Sequence, residues 1–218
     1  MNLAIIGATG MAGLEVTSLA VQRGHQVLAI ATNSDHLNKL KEEVPQVETL
    51  RKDAFDLTKD DFNGIDIIVN AFAVTPTKAH LHLELAQKLV DLFQGDDHTR
   101  LFFILGAASL KKSEKDDDLV LDMIEQDPNS ASFIAIPRAQ KQELDFLRTA
   151  VSINWVGVSP ALTFQPGPAS KNYLIGKDVL LKNDQGQSVT SSKTMALAIL
   201  NEIESPHYHN ERFTVADA

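Results

Sequence analysis

The feature that most constrains the fold is a glycine-rich loop close to the first residue. An apolar run, Leu3–Ile6, leads directly into Gly7-Ala8-Thr9-Gly10-Met11-Ala12-Gly13, and an amphipathic stretch follows until Gly24. A glycine loop between a strand and a helix lets backbone N–H groups approach a pyrophosphate closely. The spacing is GxxGxxG rather than GxGxxG, and a tight turn alone would use similar residues. The context nevertheless favours a dinucleotide site.

Beyond this loop, apolar runs alternate with amphipathic segments. Such alternation predicts βαβ units and a parallel sheet, and therefore an α/β, Rossmann-type doubly wound fold. The predicted strands are Leu3–Ile6, Val27–Ala31, Val47–Leu50, Ile65–Val69, Leu101–Leu105, Ile153–Val158 and Arg212–Val215. The predicted helices are Met11–Arg23, a short helix after Asp35, Thr77–Phe93, Ala139–Thr149 and Ser192–Ile203.

Two segments are predicted by composition more than by periodicity. Lys111–Asp118 is dense in charge and is typical of a surface loop. Val179–Lys182 and Gln187–Thr190 flank a polar tetrapeptide, a pattern that predicts a hairpin. The length of 218 residues suits a single domain, whose portion from about 161 to 218 forms a small mixed segment on the substrate side.

Charge and cysteine content exclude several classes of function. A formal net charge of -9 argues against direct binding of nucleic acid or of an acidic membrane surface. Without cysteine there is no disulfide, thiol catalysis or iron–sulfur site, which agrees with a reducing cytoplasm. The apolar run at the N-terminus is too short for a signal peptide or a membrane span. We also predict no metal site, because His80 and His82 point to different sides of a helix, and a solvated helix face suits them better.

Further segments, in the same order along the chain, resemble one family. With the glycine loop, they resemble the extended and atypical short-chain dehydrogenase/reductases, in particular the NmrA-like group and its bacterial members called NADH-flavin reductases. The matching segments are Lys52–Thr58, Val69–Phe72, Gly106–Leu110, Asn154–Ala161, Phe164–Gly167 and Arg212–Val215. The resemblance covers nearly the whole chain and implies an NAD(P)-binding oxidoreductase.

The resemblance also implies site residues. They are Gly7, Thr9, Gly10, Met11 and Gly13 at the pyrophosphate, Asp53 and Ala54 at the adenine, Asn70, Ala71 and Phe72 at the ribose and nicotinamide, and Ser109 and Pro160 at the reactive end. Asp53 is equally typical of a turn.

The choice between NAD and NADP stays open in the sequence. An NAD enzyme usually carries a carboxylate at the end of the second strand, and an NADP enzyme usually carries an arginine there. This chain has Thr32 and Asn33 at that position, which neither repel a phosphate nor clamp one.

The acid–base pair of catalytic short-chain reductases, Tyr-x-x-x-Lys, is missing from the expected helix. Pro137 stands where the tyrosine would precede Lys141, and the match of Tyr173 with Lys177 lies in the mixed C-terminal segment. Hydride delivery to a flavin- or quinone-like acceptor, with FMN or FAD as a substrate, tolerates this absence because protons can come from water. A catalytically silent NAD(P)-binding redox sensor is the alternative. The oligomeric state is not predicted.

Overall fold

An eight-stranded sheet lies at the centre of the protein, whose computed structural model describes residues 1–218, with Asp116 described by its backbone alone. The strands are β1 (Asn2–Ile6), β2 (Gln26–Ala31), β3 (Glu48–Arg51), β4 (Ile67–Asn70), β5 (Arg100–Ile104), β6 (Lys111–Ser113), β7 (Asp116–Leu119), β8 (Asn154–Pro160), β9 (Thr163–Gln165), β10 (Leu174–Gly176), β11 (Val189–Ser191) and β12 (Glu211–Ala216). The helices are α1 (Met11–Gln22), α2 (Ser34–Glu43), α3 (Leu81–Phe93), α4 (Val120–Glu125), α5 (Ala135–Leu147) and α6 (Ser192–Glu204).

The sheet has the order β3-β2-β1-β4-β5-β8-β12-β10, and its strands are parallel except for the edge strand β10. The chain starts in the middle, winds outward to β3 and then returns to the other side of β1. The direction of winding therefore reverses between β1 and β4, and ligands of such folds bind at this reversal. The predicted doubly wound α/β fold is confirmed.

Both faces of the sheet are buried at its central strands, as their nearly continuous apolar sequences require. In β1, Leu3 and Ile5 belong to the cluster beneath helices α1, α2 and α6, whereas Ala4 and Ile6 belong to the cluster beneath α3 and α5. Successive side chains of a strand point to opposite faces, which explains this division. No helix in the described part of the chain is long and apolar enough to cross a membrane.

Two predicted segments were wrong. The charged stretch Lys111–Asp118 is not a loop but the antiparallel hairpin β6–β7, in which lysines and aspartates face each other across the strands. The predicted hairpin around residues 183–186 keeps its turn, but its two flanks do not pair with each other, and Val179–Lys182 forms no strand. Val189–Ser191 pairs in parallel with β9 instead and forms a separate two-stranded sheet.

Helix α5 begins at Ala135, four residues before the predicted start. Pro137 lies in its first turn, where a backbone N–H has no partner within the helix, so the proline is tolerated. Helix α3 begins at Leu81, after a short 3-10 turn at Pro76–Lys78, rather than at Thr77.

Candidate functional site

The glycine loop lies at the reversal point between β1 and β4, and two of its glycines are required by the backbone. Gly7 has φ of +76°, and a Cβ there would be 2.5 Å from the carbonyl oxygen of Ala71. A Cβ on Gly13 would be 2.3 Å from the carbonyl oxygen of Gly7. Side chains at these positions would therefore force the loop away from β4 or from the first turn of α1.

Gly10 is different, because nothing in the loop itself demands a glycine. Its φ of −79° suits any residue, and the nearest atom to an added Cβ is the carbonyl oxygen of Gly7 at 3.3 Å. Gly10 is the N-cap of α1, and in the described structure no side chain caps this helix. The first turn thus presents open space, free N–H groups and the positive end of the helix dipole. This arrangement fits a pyrophosphate.

A cavity of about 380 Å³ extends from the loop toward the ends of β2 and β3. Thr9, Thr32, Asp53 and Ala54 line it together with His36. The Asp53 side chain also accepts a hydrogen bond from the N–H of Phe55 at 2.9 Å. Asp53 therefore combines the two alternatives that the sequence left open, lining the cavity and forming a turn.

Positive charge collects at the outer end of this first cavity. Arg51, the last residue of β3, donates from Nε to the carbonyl oxygen of Thr32 at 3.3 Å, and its side chain is exposed. Lys52 lines the cavity but forms an ion pair with Asp61 at 2.7 Å. The hydrogen bond from Lys52 holds the pKa of Asp61 below its usual value. Arg51 thus places an exposed guanidinium beside the end of β2, although it belongs to β3.

A second cavity of about 320 Å³ lies on the other side of the loop. Its walls are mainly apolar and include Met11, Ile136, Pro160, Leu162 and Phe164. The two cavities share four lining residues, Gly10, Ala71, Phe72 and Ala73. One extended ligand could therefore pass along the loop from one cavity into the other.

His82 opens onto the second cavity and is buried, with 4% of its side chain exposed. The prediction of a solvated helix face was wrong for this residue, because the packing of α3 on α5 covers it. Its Nδ1 lies 3.8 Å from Oε2 of Glu143, which is 1% exposed and has no hydrogen-bond partner in the described structure. Burial lowers the pKa of His82 and raises the pKa of Glu143 well above its usual range. Burial therefore favours the neutral form of each group.

The structure brings most of the predicted site residues to the two cavities. Those that line them are Gly7, Thr9, Gly10, Met11, Thr32, Asp53, Ala54, Ala71, Phe72 and Pro160. The other four lie behind this surface, where they support it.

Each of these four has a structural contact. Gly13 packs on the loop, and Asn33 caps α2 by accepting from the N–H of His36. Asn70 accepts from the N–H of Phe72 at 3.2 Å, and Ser109 accepts from Nη1 of Arg212 at 3.2 Å. The hydroxyl of Ser109 is thus engaged by a buried guanidinium rather than presented to the second cavity.

Tyr173 and Lys177 lie apart from both cavities. The Tyr173 hydroxyl accepts a hydrogen bond from Asn201, and Lys177 forms an ion pair with Glu211. On α5, Lys141 pairs with Asp145. Neither lysine is placed to activate a tyrosine toward the second cavity.

Sequence reasoning missed three residues that line the cavities, His36, His82 and Gln140, and two that lie beside the cavities, Arg51 and Glu143. A partial signal existed for one face of α5, because Ile136, Gln140 and Glu143 recur at helical spacing. No pattern indicated that this face would meet α3.

The comparisons with known proteins agree with this geometry. Residues 7–206 match a family described as NAD(P)H-binding. The chain belongs to the NAD(P)H-binding family. It is also 38% identical over 216 residues to the uncharacterized protein YwnB of Bacillus subtilis (strain 168), covering 99% of this chain and 98% of YwnB.

Two solved structures are similar over the full length of both chains. One is SP1627 of Streptococcus pneumoniae TIGR4, named "a putative NADH-flavin reductase", with a TM-score of 0.89 and 33% identity over 100% of each chain. The other is a protein from Lactobacillus casei, with a TM-score of 0.88 and 36% identity, again over 100% of each chain. The resemblance inferred from the sequence is confirmed.

Proposed function

We propose that this member of the NAD(P)H-binding family is a reductase that transfers hydride to a flavin- or quinone-like acceptor. The observation that carries the proposal is the junction of the two cavities at Gly10, Ala71 and Phe72. A dinucleotide whose pyrophosphate lies at Gly10 would extend its adenosine half into the first cavity and its nicotinamide half toward the second. Bound NAD(P)H would supply the hydride.

The second cavity suits a flat, apolar ring system. Phe72, Pro160 and Phe164 contribute broad apolar surfaces to its walls. Orientation of two reactants in a desolvated pocket can supply much of the rate enhancement of a hydride transfer. The name of SP1627 supports the same class of acceptor, whereas carbonyl reduction by a Tyr–Lys pair is disfavoured by the positions of Tyr173 and Lys177.

The decisive assay is NAD(P)H oxidation by purified protein with FMN, FAD or menadione as the acceptor. We expect cofactor oxidation that depends on both the enzyme and the acceptor, and that saturates with the acceptor. Binding of NAD(P)H without turnover of any of these acceptors would contradict the proposal. That result would favour the alternative, a catalytically silent NAD(P)-binding redox sensor. The absence of the Tyr–Lys pair is also consistent with this alternative.

We further propose that the preferred cofactor is NADPH. The end of β2 carries no carboxylate to hold a free ribose 2′-hydroxyl, and Arg51 is anchored beside it on Thr32. An arginine at this place offers charge-assisted hydrogen bonds to a 2′-phosphate. His36 adds a second nitrogen donor on the same side of the cavity.

Arg51→Gln should lower the affinity for NADPH about tenfold and leave the affinity for NADH nearly unchanged. The tenfold change corresponds to about 1.4 kcal/mol, which is typical of one exposed charge-assisted hydrogen bond. Fluorescence titration of both cofactors measures the ratio. The matched control is Arg23→Gln, since Arg23 caps the far end of α1 and pairs with Glu204. Equal losses for both cofactors, or none, would contradict the assignment to NADPH.

A further inference from the structure

His82 lines the cavity assigned to the acceptor, and behind it lies Glu143, an ionisable neighbour that the proposed function has not used. The Nδ1 of His82 faces Glu143 on α5. That contact leaves Nε2 for a group inside the cavity. Phe72 packs edge-to-face on the imidazole, with ring centroids 5.7 Å apart, and holds its orientation.

Oε2 of Glu143 is buried and has no hydrogen-bond partner in the described structure. A buried polar atom without a partner costs free energy, and such atoms in native proteins call for a reason. The 3.8 Å between Nδ1 and Oε2 is too long for a hydrogen bond. Catalytic contacts are often this long in a protein without ligand and shorten when the ligand binds.

We propose, resting on the reductase function above, that Nε2 of His82 delivers the proton that acceptor reduction requires, and that Glu143 resupplies it through Nδ1. Hydride addition leaves the acceptor one proton short. The Nε2–H bond breaks and its proton goes to the acceptor, while Nδ1 takes the proton of the Glu143 carboxyl. The imidazole stays neutral throughout, and Glu143 becomes a carboxylate. A proton from water then returns to Nε2, and the Nδ1 proton returns to Glu143.

The electrostatic surroundings suit this relay. Burial raises the pKa of the Glu143 carboxyl and lowers the pKa of the His82 ring, and thus favours the neutral form of both groups. On the elements packed around α3, Lys78, Asp56, Arg138 and Asp145 are exposed, and the half-buried Lys141 pairs with Asp145. On α3 itself, His80 and Glu84 are exposed as well. Glu143 is therefore the buried group from which His82 can recover a proton without bulk water.

The test uses steady-state reduction of menadione by the purified enzyme at saturating NAD(P)H. His82→Gln should lower kcat about a hundredfold, the usual size for loss of a general acid. Glu143→Gln should lower kcat about tenfold, because an amide can hold the imidazole but cannot pass on a proton. Affinity for NAD(P)H should change less than twofold in both variants. The controls are His80→Gln and Glu84→Gln, which exchange the same groups on the exposed face of α3.

A second measurement does not depend on turnover. In the complex with NADP⁺, where we expect this contact to shorten, the ¹⁵N spectrum should show His82 as the Nε2–H tautomer with Nδ1 accepting a hydrogen bond, because the hydrogen bond at one ring nitrogen decides which nitrogen carries the proton. In Glu143→Leu the Nδ1 resonance should move to that of a nitrogen without a hydrogen bond.

If His82→Gln retains kcat within threefold of the wild type, or if the Nδ1 resonance is unchanged in Glu143→Leu, the relay is refuted. If the wild type reduces none of the acceptors, the proposed function fails, whereas the Nδ1 resonance still shows whether Glu143 donates a hydrogen bond to His82.

Discussion

Gly10→Val is expected to weaken NAD(P)H binding at least about a hundredfold while the protein stays folded. The backbone of Gly10 has an extended conformation that valine adopts readily, and an added Cβ meets only one atom, at 3.3 Å. The larger side chain would therefore fit the fold but occupy the junction of the two cavities. A pyrophosphate needs this close approach to the backbone.

Calorimetric titration of the cofactor, with circular dichroism as a check on folding, tests this expectation. Ser18→Val is the control, because it places the same side chain on α1 about two turns away from the loop. Gly13→Val should behave differently and lose the fold, since its Cβ would lie 2.3 Å from a carbonyl oxygen. Unchanged cofactor affinity in Gly10→Val would mean that the loop serves only as a turn.

Glu202→Ala is expected to lower the free energy of unfolding by about 3–5 kcal/mol, the usual result of removing one partner of a buried ion pair. Arg100 and Glu202 are 8% and 5% exposed, and the Arg100 guanidinium donates to the Glu202 carboxylate. Glu202 also accepts from the backbone N–H groups of His207 and Tyr208. The variant would leave a buried guanidinium and two N–H groups without this acceptor.

Urea unfolding followed by circular dichroism measures this loss. The matched control is Glu204→Ala, two residues further along α6. Glu204 contacts Arg23 and His25, but its own side chain is 35% exposed, and pairs of such exposed carboxylates contribute at most about 1 kcal/mol each. Equal losses of unfolding free energy in the two variants would show that the buried Arg100–Glu202 pair stabilises the fold no more than the exposed pair does.

The parallel strands and the glycine loop could be predicted from the sequence because their physical signals are local. A strand covered on both faces needs a continuous apolar run, and β5 and β8 show such runs. The loop is indicated by three glycines at fixed spacing, directly after an apolar run. Its contacts with β4 follow from the position of β1 and β4 as neighbours, which the doubly wound order dictates.

The C-terminal pairing could not be predicted in this way. The polar tetrapeptide 183–186 is a turn signal, but whether its flanks pair with each other depends on competing partners. Val189–Ser191 instead pairs with β9, more than twenty residues earlier. The lysines and aspartates of Lys111–Asp118 were misleading for a related reason, because charges that alternate across a hairpin have the same composition as a solvated loop.

The contact of His82 with Glu143 could not be predicted from the sequence, because the two residues lie on different helices. Nothing in the local pattern of α3 separates buried His82 from exposed His80, and only the packing of α3 on α5 does so. The sequence does not indicate Arg51, because this residue lies on the neighbouring strand β3. Only the register of the two strands places it beside Ala31 at the end of β2.

The two-stranded sheet β9–β11 stands outside the eight-stranded sheet, and it carries Phe164 of the second cavity. Leu162 lies just before it and is tied to the same segment by a hydrogen bond from its N–H to Ser188. Substitutions in this small sheet can therefore reshape one wall of the cavity without displacing the glycine loop or the strands that support it. During evolution, substitutions in this small sheet can therefore change which acceptor a homologue binds, while its dinucleotide-binding half stays the same.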